Sequence, residues 1–179
     1  ESFPMLITSV KNPKIKRVCA LRERRERDRE GVTVLEGYRE LSRSMDAGIK
    51  LTELYHCPEL YLGEHEGELI ARAEAQGAEI YETNADALVK MAYRDRPEGL
   101  IALAQMRHKG LDEMPVVSNG LYLVAETIEK PGNLGSMLRS ADAVGATGMI
   151  ICNRQTDVFN PNCIRASTGA IFSVPLAET

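Results

Sequence analysis

The sequence predicts an α/β protein of two domains, the second built on a parallel sheet. Three observations carry this. From Gly31 onward, short apolar segments alternate with helical ones, the pattern of a layered α/β structure. Leu121–Ala125 is a continuous apolar run, as expected of a parallel strand buried on both faces. Between these regions, Met106–Gly120 holds Gly110, Pro115, Ser118, Asn119 and Gly120 with no sustained periodicity, which marks a boundary. The expected division is a first domain at 1–105, a linker at 106–120 and a second domain at 121–179.

The elements follow in order. Asn12 can cap a helix and Pro13 suits its first position, so a basic helix is expected over 11–29. Val32–Leu35 reads as a strand, and Gly37–Ala47 as a helix with Leu41 and Met45 on one face. Leu51–Cys57 is the next strand, then a helix over Glu64–Gln76 with Leu69, Ile70 and Ala73 inward. Ala78–Tyr81 is a strand, a short helix capped at Asn84 or Asp86 runs to Met91, and Gly99–Ala104 is a strand. In the second domain, a glycine-bearing loop leads to a helix from about Leu134 to Val144 and a buried strand, Gly148–Cys152. That is a βαβ unit. Asn160 caps, Pro161 starts and Gly169 stops a further short helix, with Ala170–Val174 expected as a strand.

Composition bounds the function. Apolar residues make up 44% and charged residues 27% of the 179, enough for packed cores. No apolar run reaches the ~18–20 residues that span a bilayer, so no membrane partner is expected. Glu1–Val10 is too short for a secretory signal and has no basic n-region. Cys19, Cys57, Cys152 and Cys163 show no CxxC spacing, and His56, His65 and His108 do not cluster with them. No metal is expected, and free thiols suit a reducing cytoplasm. Cys57 and Cys152 read as small buried hydrophobes.

The net charge is −4, yet residues 11–29 hold nine basic groups against three acids. That segment carries +6 and the rest of the chain −10. Such asymmetry is the footprint of a phosphate-contacting element, and the candidate RNA contacts are Lys14, Lys16, Arg17, Arg22, Arg24 and Arg25. A solvated helix with i,i+4 ion pairs such as Glu23–Arg27 is the plainer alternative.

Two stretches of the second domain hold the candidate chemistry. In Glu129-Lys-Pro-Gly-Asn133-Leu-Gly135-Ser-Met-Leu-Arg139-Ser-Ala141, a loop after a parallel strand opens a helix, where ligands of α/β sheets bind. At about 100° per residue, Arg139 points away from the stripe of Leu134, Leu138, Ala141 and Gly145. The second stretch is Asn160-Pro161-Asn-Cys-Ile-Arg165-Ala-Ser167-Thr-Gly169. Neither GxGxxG nor GK[ST] is present, so both common phosphate-loop readings are weak.

Together the two stretches resemble the first two motifs of the SpoU (TrmH-like) family of RNA 2′-O-ribose methyltransferases, of the SPOUT superfamily. Asn133, Gly135, Arg139 and Ala141 match the first motif. Asn160, Pro161, Arg165, Ser167 and Gly169 match the second. The first 105 residues look like that family's substrate-binding domain, which is similar to a ribosomal-protein RNA-binding fold, with Val34-Leu-Glu-Gly-Tyr38 as the local hallmark. The family's third motif would lie beyond Pro175, so the second domain is expected to be an incomplete trefoil-knot parallel-sheet domain. The fragment alone is then expected to be inactive, with most of the cofactor pocket elsewhere.

The resemblance implies methyl transfer from S-adenosylmethionine to a ribose 2′-OH, more in ribosomal than in transfer RNA. It makes Arg139 the catalytic residue. Asn133, Gly135, Asn160, Arg165, Ser167 and Gly169 become the active-site loop and RNA contacts, and the protein becomes a homodimer. Two alternatives stand beside it: a non-catalytic RNA-binding module, and a nicotinamide-binding oxidoreductase on the same βαβ topology. The missing GxGxxG counts against the second.

Overall fold

The computed structural model describes residues 5–179; the first four residues of the segment tested above for a signal lie outside the described residues. The chain divides into two compact units, one ending at Gln105 and one running from Met106 to Thr179.

The first unit is built on a five-stranded sheet. Its strands are β1 (Met5–Ile7), β2 (Val32–Glu36), β3 (Leu51–His56), β4 (Glu79–Thr83) and β5 (Leu100–Gln105), in the order β1-β4-β3-β5-β2. β1, β4 and β3 run parallel, and β5 runs antiparallel to both β3 and β2. Side chains alternate across a sheet, so Val32, Val34, Tyr55, Ile101 and Leu103 share one face. There they join Ile15 and Val18 of α1 (Pro13–Ala20) and Leu88 and Met91 of α5 (Ala85–Met91) in a continuous core. α3 (Tyr38–Asp46) and α4 (Glu66–Ala75) pack on each other and against β2, β3 and β4, burying Leu41, Met45, Leu69 and Ala73. β1 was not anticipated: three residues carry too short a pattern to read.

The expected basic helix over 11–29 is two helices. α1 ends at Ala20, and α2 runs Arg24–Glu30. Arg27, an ion-pair partner of Glu23 in the solvated-helix alternative, is instead buried at 1% exposure. Its Nη1 donates to the carbonyls of Leu21 and Arg22, at 2.9 and 2.8 Å. These carbonyls lie in the break, where the helix ladder has stopped, so a buried donor there satisfies them and fixes the bend.

The second unit has three parallel strands, β6 (Tyr122–Glu126), β7 (Gly148–Cys152) and β8 (Leu176–Glu178), in that order. α6 (Pro131–Ala143) connects β6 to β7, and α7 (Pro161–Ala166) lies between β7 and β8. The stretch expected as a linker packs within this unit. Met114 is buried, Lys109 O accepts from Glu178 N at 2.9 Å, and Tyr122 Oη donates to Pro115 O at 2.7 Å.

Two expectations fail here. β6 is not buried on both faces: it is an edge strand, with Ala125 buried but Val124 58% exposed. Ala170–Val174 is not a strand. Ala170–Phe172 is a 3-10 turn, because the backbone passes through the left-handed region at Thr168 and Gly169 and Ser167 O then accepts from Ala170 N. The strand starts after Pro175, with Leu176 paired to Met149. Cys57 is buried as expected, whereas Cys152 is only half-buried.

Candidate functional site

α6 begins earlier than its sequence suggests. Lys130 is the N-cap and Pro131 the first helical residue, so Asn133 and Gly135 lie inside the helix rather than in a loop before it. Leu134, Gly135, Leu138 and Ala141 form the buried stripe. Arg139 is exposed and makes no hydrogen bond or ion pair among the described residues. A guanidinium held out on a packed helix with no internal partner is available to an external anion.

α7 is fixed by its ends. Asn160 Oδ1 accepts from Asn162 N at 2.9 Å, and Pro161 occupies the first position. Cys163 and Ile164 are buried, and burial raises the Cys163 thiol to a pKa of about 12. Arg165 is exposed, with Asn162 Oδ1 at 3.4 Å. Ser167 is wholly buried: its hydroxyl donates to Ile164 O at 2.7 Å and accepts from Ile171 N at 3.4 Å. Ser167 and Gly169 therefore shape the turn after α7, and Arg165 is the cation that α7 offers to solvent.

Gly135 is where the two motifs meet. A Cβ placed on it would lie 2.4 Å from Cys163 O, 2.7 Å from Ala166 Cβ and 2.9 Å from Ser167 N. The two helices cross so closely that only hydrogen fits between them. The glycine of the first motif is thus set by the backbone of the second, and its reason is packing rather than loop flexibility.

Three further residues carry unusual backbone, two of them at the carboxyl ends of strands. Thr127 follows β6, Asn153 follows β7 and Thr168 follows α7, all at positive φ: 55°, 48° and 53°. A β-branched residue in the left-handed region costs of order 1–3 kcal/mol, and such strain collects at functional sites. Asn153 Nδ2 also donates to Glu126 Oε1 at 2.9 Å, tying the ends of β6 and β7 together. Sequence reasoning missed all three: nothing in a threonine announces positive φ, and asparagine, which does favour it, adopts it at only a minority of positions. Asp157 is buried and accepts from Phe159 N at 3.0 Å.

In the first unit the basic residues divide by partner. Arg17 pairs with Glu30 and Glu53, at 2.7 and 2.6 Å. Lys14 lies 3.5 Å from both Glu53 and Glu79 and over the Tyr81 ring. Arg24 pairs with Asp28 at 3.3 Å, and Arg22 donates to the carbonyls of Lys90 and Ala92. Lys16 and Arg25 are exposed and have no such partner among the described residues. No group of three metal-ligating side chains exists among the described residues. No helix there is long and apolar enough to cross a membrane.

Comparison with known proteins agrees with this arrangement. Residues 12–102 match the MRM3-like substrate binding domain, and residues 120–179 match the SpoU rRNA Methylase family. The chain is 30% identical to the 23S rRNA (uridine(2479)-2'-O)-methyltransferase of Streptomyces viridochromogenes, over 87% of this chain and 53% of that one. Among solved structures, an RNA 2'-O ribose methyltransferase superposes with a TM-score of 0.84 at 39% identity, covering 98% of this chain and 66% of the other. An AdoMet-bound rRNA methyltransferase from Sinorhizobium meliloti superposes with a TM-score of 0.87 at 28% identity, covering 97% and 64%. The chain thus spans about half to two thirds of the length of these relatives. By both domain matches and by its fold, the chain belongs to the SpoU (TrmH-like) family of RNA methyltransferases, with an MRM3-like substrate binding domain ahead of its SPOUT domain.

Proposed function

We propose that the protein methylates a ribose 2′-oxygen in RNA, ribosomal rather than transfer RNA, with S-adenosylmethionine as the methyl donor. The observation that carries this is Arg139, exposed and without an internal partner, on a helix locked through Gly135 to the helix that presents Arg165. S-adenosylmethionine supplies an already activated methyl on a sulfonium, so the protein's task is positioning and help with the hydroxyl proton. The end of the sheet fits such a group. Positive-φ residues, Thr127 and Asn153, directly follow β6 and β7 at the carboxyl ends of the strands, and the Glu126 carboxylate there suits a cation.

An arginine stays protonated and is a poor base. Arg139 binds the phosphate beside the target ribose through its fork, orients the 2′-OH and favours loss of its proton. Arg165 adds a second cationic contact. The 2′-OH is what separates RNA from DNA at such a site. The same reading has the protein act in the cytoplasm, without a membrane or metal partner, and as a homodimer. The edge of β6, unpaired among the described residues and with Val124 58% exposed, offers a second copy a surface to cover.

The test is methyl incorporation into ribosomal RNA by a chain that also carries the family's third motif, and by its Arg139→Lys variant. Lysine keeps the charge and loses the fork, so turnover is expected to fall about a hundredfold or more, with the melting curve unchanged. Near-normal turnover in the variant would overturn the role given to Arg139.

A further inference from the structure

The first unit holds a cavity of about 240 Å³ lined by Tyr38, Leu62, Gly63, His65, Glu66 and Glu98. It lies at one end of the sheet. Tyr38 follows β2, Leu62 and Gly63 follow β3, and Glu98 precedes β5, whose start pairs with the ends of both strands. The carboxyl ends of strands are where α/β sheets bind ligands. Gly37 builds one wall. Its φ of 99° turns the chain out of β2 so that Tyr38, 37% exposed, stands at the start of α3.

Glu66 is the informative residue. It is only 5% exposed, and its Oε1 accepts from Gly63 N at 2.8 Å. Its Oε2 is buried and has no hydrogen-bond partner. A carboxylate oxygen that has lost water and gained no donor is costly, and a ligand N–H would satisfy it. The second carboxylate, Glu98, is held by Arg94.

We propose that this cavity receives one unpaired guanine of the RNA, stacked on Tyr38 and donating its ring N–H and amino group to Glu66. This rests on the reading that the chain binds RNA. Guanine alone among the four bases offers two adjacent donors on its pairing edge. Adenine and cytosine place an acceptor beside the amino group, and uracil flanks its one donor with two acceptors, all facing a carboxylate. The cavity is smaller than the ~300–1,000 Å³ of sites for drug-sized ligands, and suits a single ring system. Stacking of a splayed base on an aromatic ring is the usual way proteins hold single-stranded RNA. The basic segment reaches the same end of the sheet. Arg22 donates to Ala92 O at 3.1 Å and lies over the Tyr93 ring, and Tyr93 N donates to Glu36 at the end of β2.

The experiment measures binding of the 179-residue chain to three fluorescent RNA pentamers: all-uridine, the same with a central guanosine, and the same with a central inosine. Inosine lacks only the amino group. Guanosine is expected to bind roughly tenfold tighter than uridine or more, with inosine between them. Glu66→Gln should remove the preference for guanosine. Its amide must face a donor with a donor, towards either the base or Gly63 N, while uridine binding and its salt dependence stay as they were. Tyr38→Phe should keep the preference, and Tyr38→Ala should weaken guanosine binding about tenfold. Equal, salt-dependent binding of all three pentamers by the wild-type chain would overturn the guanine pocket and leave the RNA-binding reading standing. No binding of any pentamer, with ribosomal RNA bound normally, would also overturn it. Failure to bind ribosomal RNA as well would sink the underlying reading.

Discussion

Replacing Gly135 by alanine sets two effects against each other. In a helix interior, alanine is favoured over glycine by about 1 kcal/mol. At Gly135 the new methyl would sit 2.4 Å from Cys163 O and 2.9 Å from Ser167 N. Both are backbone atoms, so no side chain can swing aside, and α6 and α7 must separate. Overpacking of this kind costs about 1–3 kcal/mol, and a backbone obstacle places it at the upper end. The net expectation is a loss of about 2 kcal/mol, or roughly 8–16 °C in the melting temperature of a unit this size. Gly132 lies in the same helix, and a Cβ there meets nothing within 4 Å. Gly132→Ala should therefore stabilise by up to about 1 kcal/mol. The assay is urea denaturation followed through hydrogen exchange of the α6 and α7 amides. If Gly135→Ala proves as stable as Gly132→Ala, the close helix crossing is wrong.

Three further outcomes are expected. Lys16→Ala and Arg25→Ala should each reduce the slope of log affinity for RNA against log salt by roughly one, whereas Arg17→Ala, which breaks its pairs with Glu30 and Glu53, should mainly lower the stability of the first unit. Binding titrations across salt, with a melt of each variant, check this. Arg27→Ala strips the buried donor from the Leu21 and Arg22 carbonyls and should cost about 1–3 kcal/mol in chemical denaturation. His56 is buried and its pKa is lowered, so below about pH 6.5 the unfolded chain takes a proton that the folded chain refuses. Stability of the first unit should fall as pH drops through that range, by at most about 1.4 kcal/mol per pH unit from this group. His56→Gln should flatten the dependence measured by denaturation from pH 7 to 5.

Much of the layout was legible because burial leaves a period in the sequence. Val32 to Leu35 and Gly99 to Ala104 read as strands, and Leu41 with Met45 as a helix face. The cap at Asn160 and the start at Pro161 were equally plain, since side-chain capping is local chemistry. Context hid the rest. Arg27 is one of nine basic residues in its segment, and only the break after Ala20 makes it a buried donor. Val124 looks no different from buried Ala125 beside it, because position in a sheet order is not written in a five-residue run. The motif spacing singled out Gly135, but the reason for it is the backbone of α7, 28 residues on at Cys163. Thr127 and Thr168 carry no local mark of their positive φ.

The most direct test of the account is where the methyl group goes. A chain that also carries the family's third motif is incubated with ribosomal RNA and labelled S-adenosylmethionine, and the product is hydrolysed with alkali. A 2′-O-methyl group removes the hydroxyl that alkali needs to cleave the next phosphodiester. The account predicts label in an alkali-resistant dinucleotide, lost when the target residue is made 2′-deoxy and lost in Arg139→Lys. Label recovered in a mononucleotide, as a base methyl would give, would contradict it.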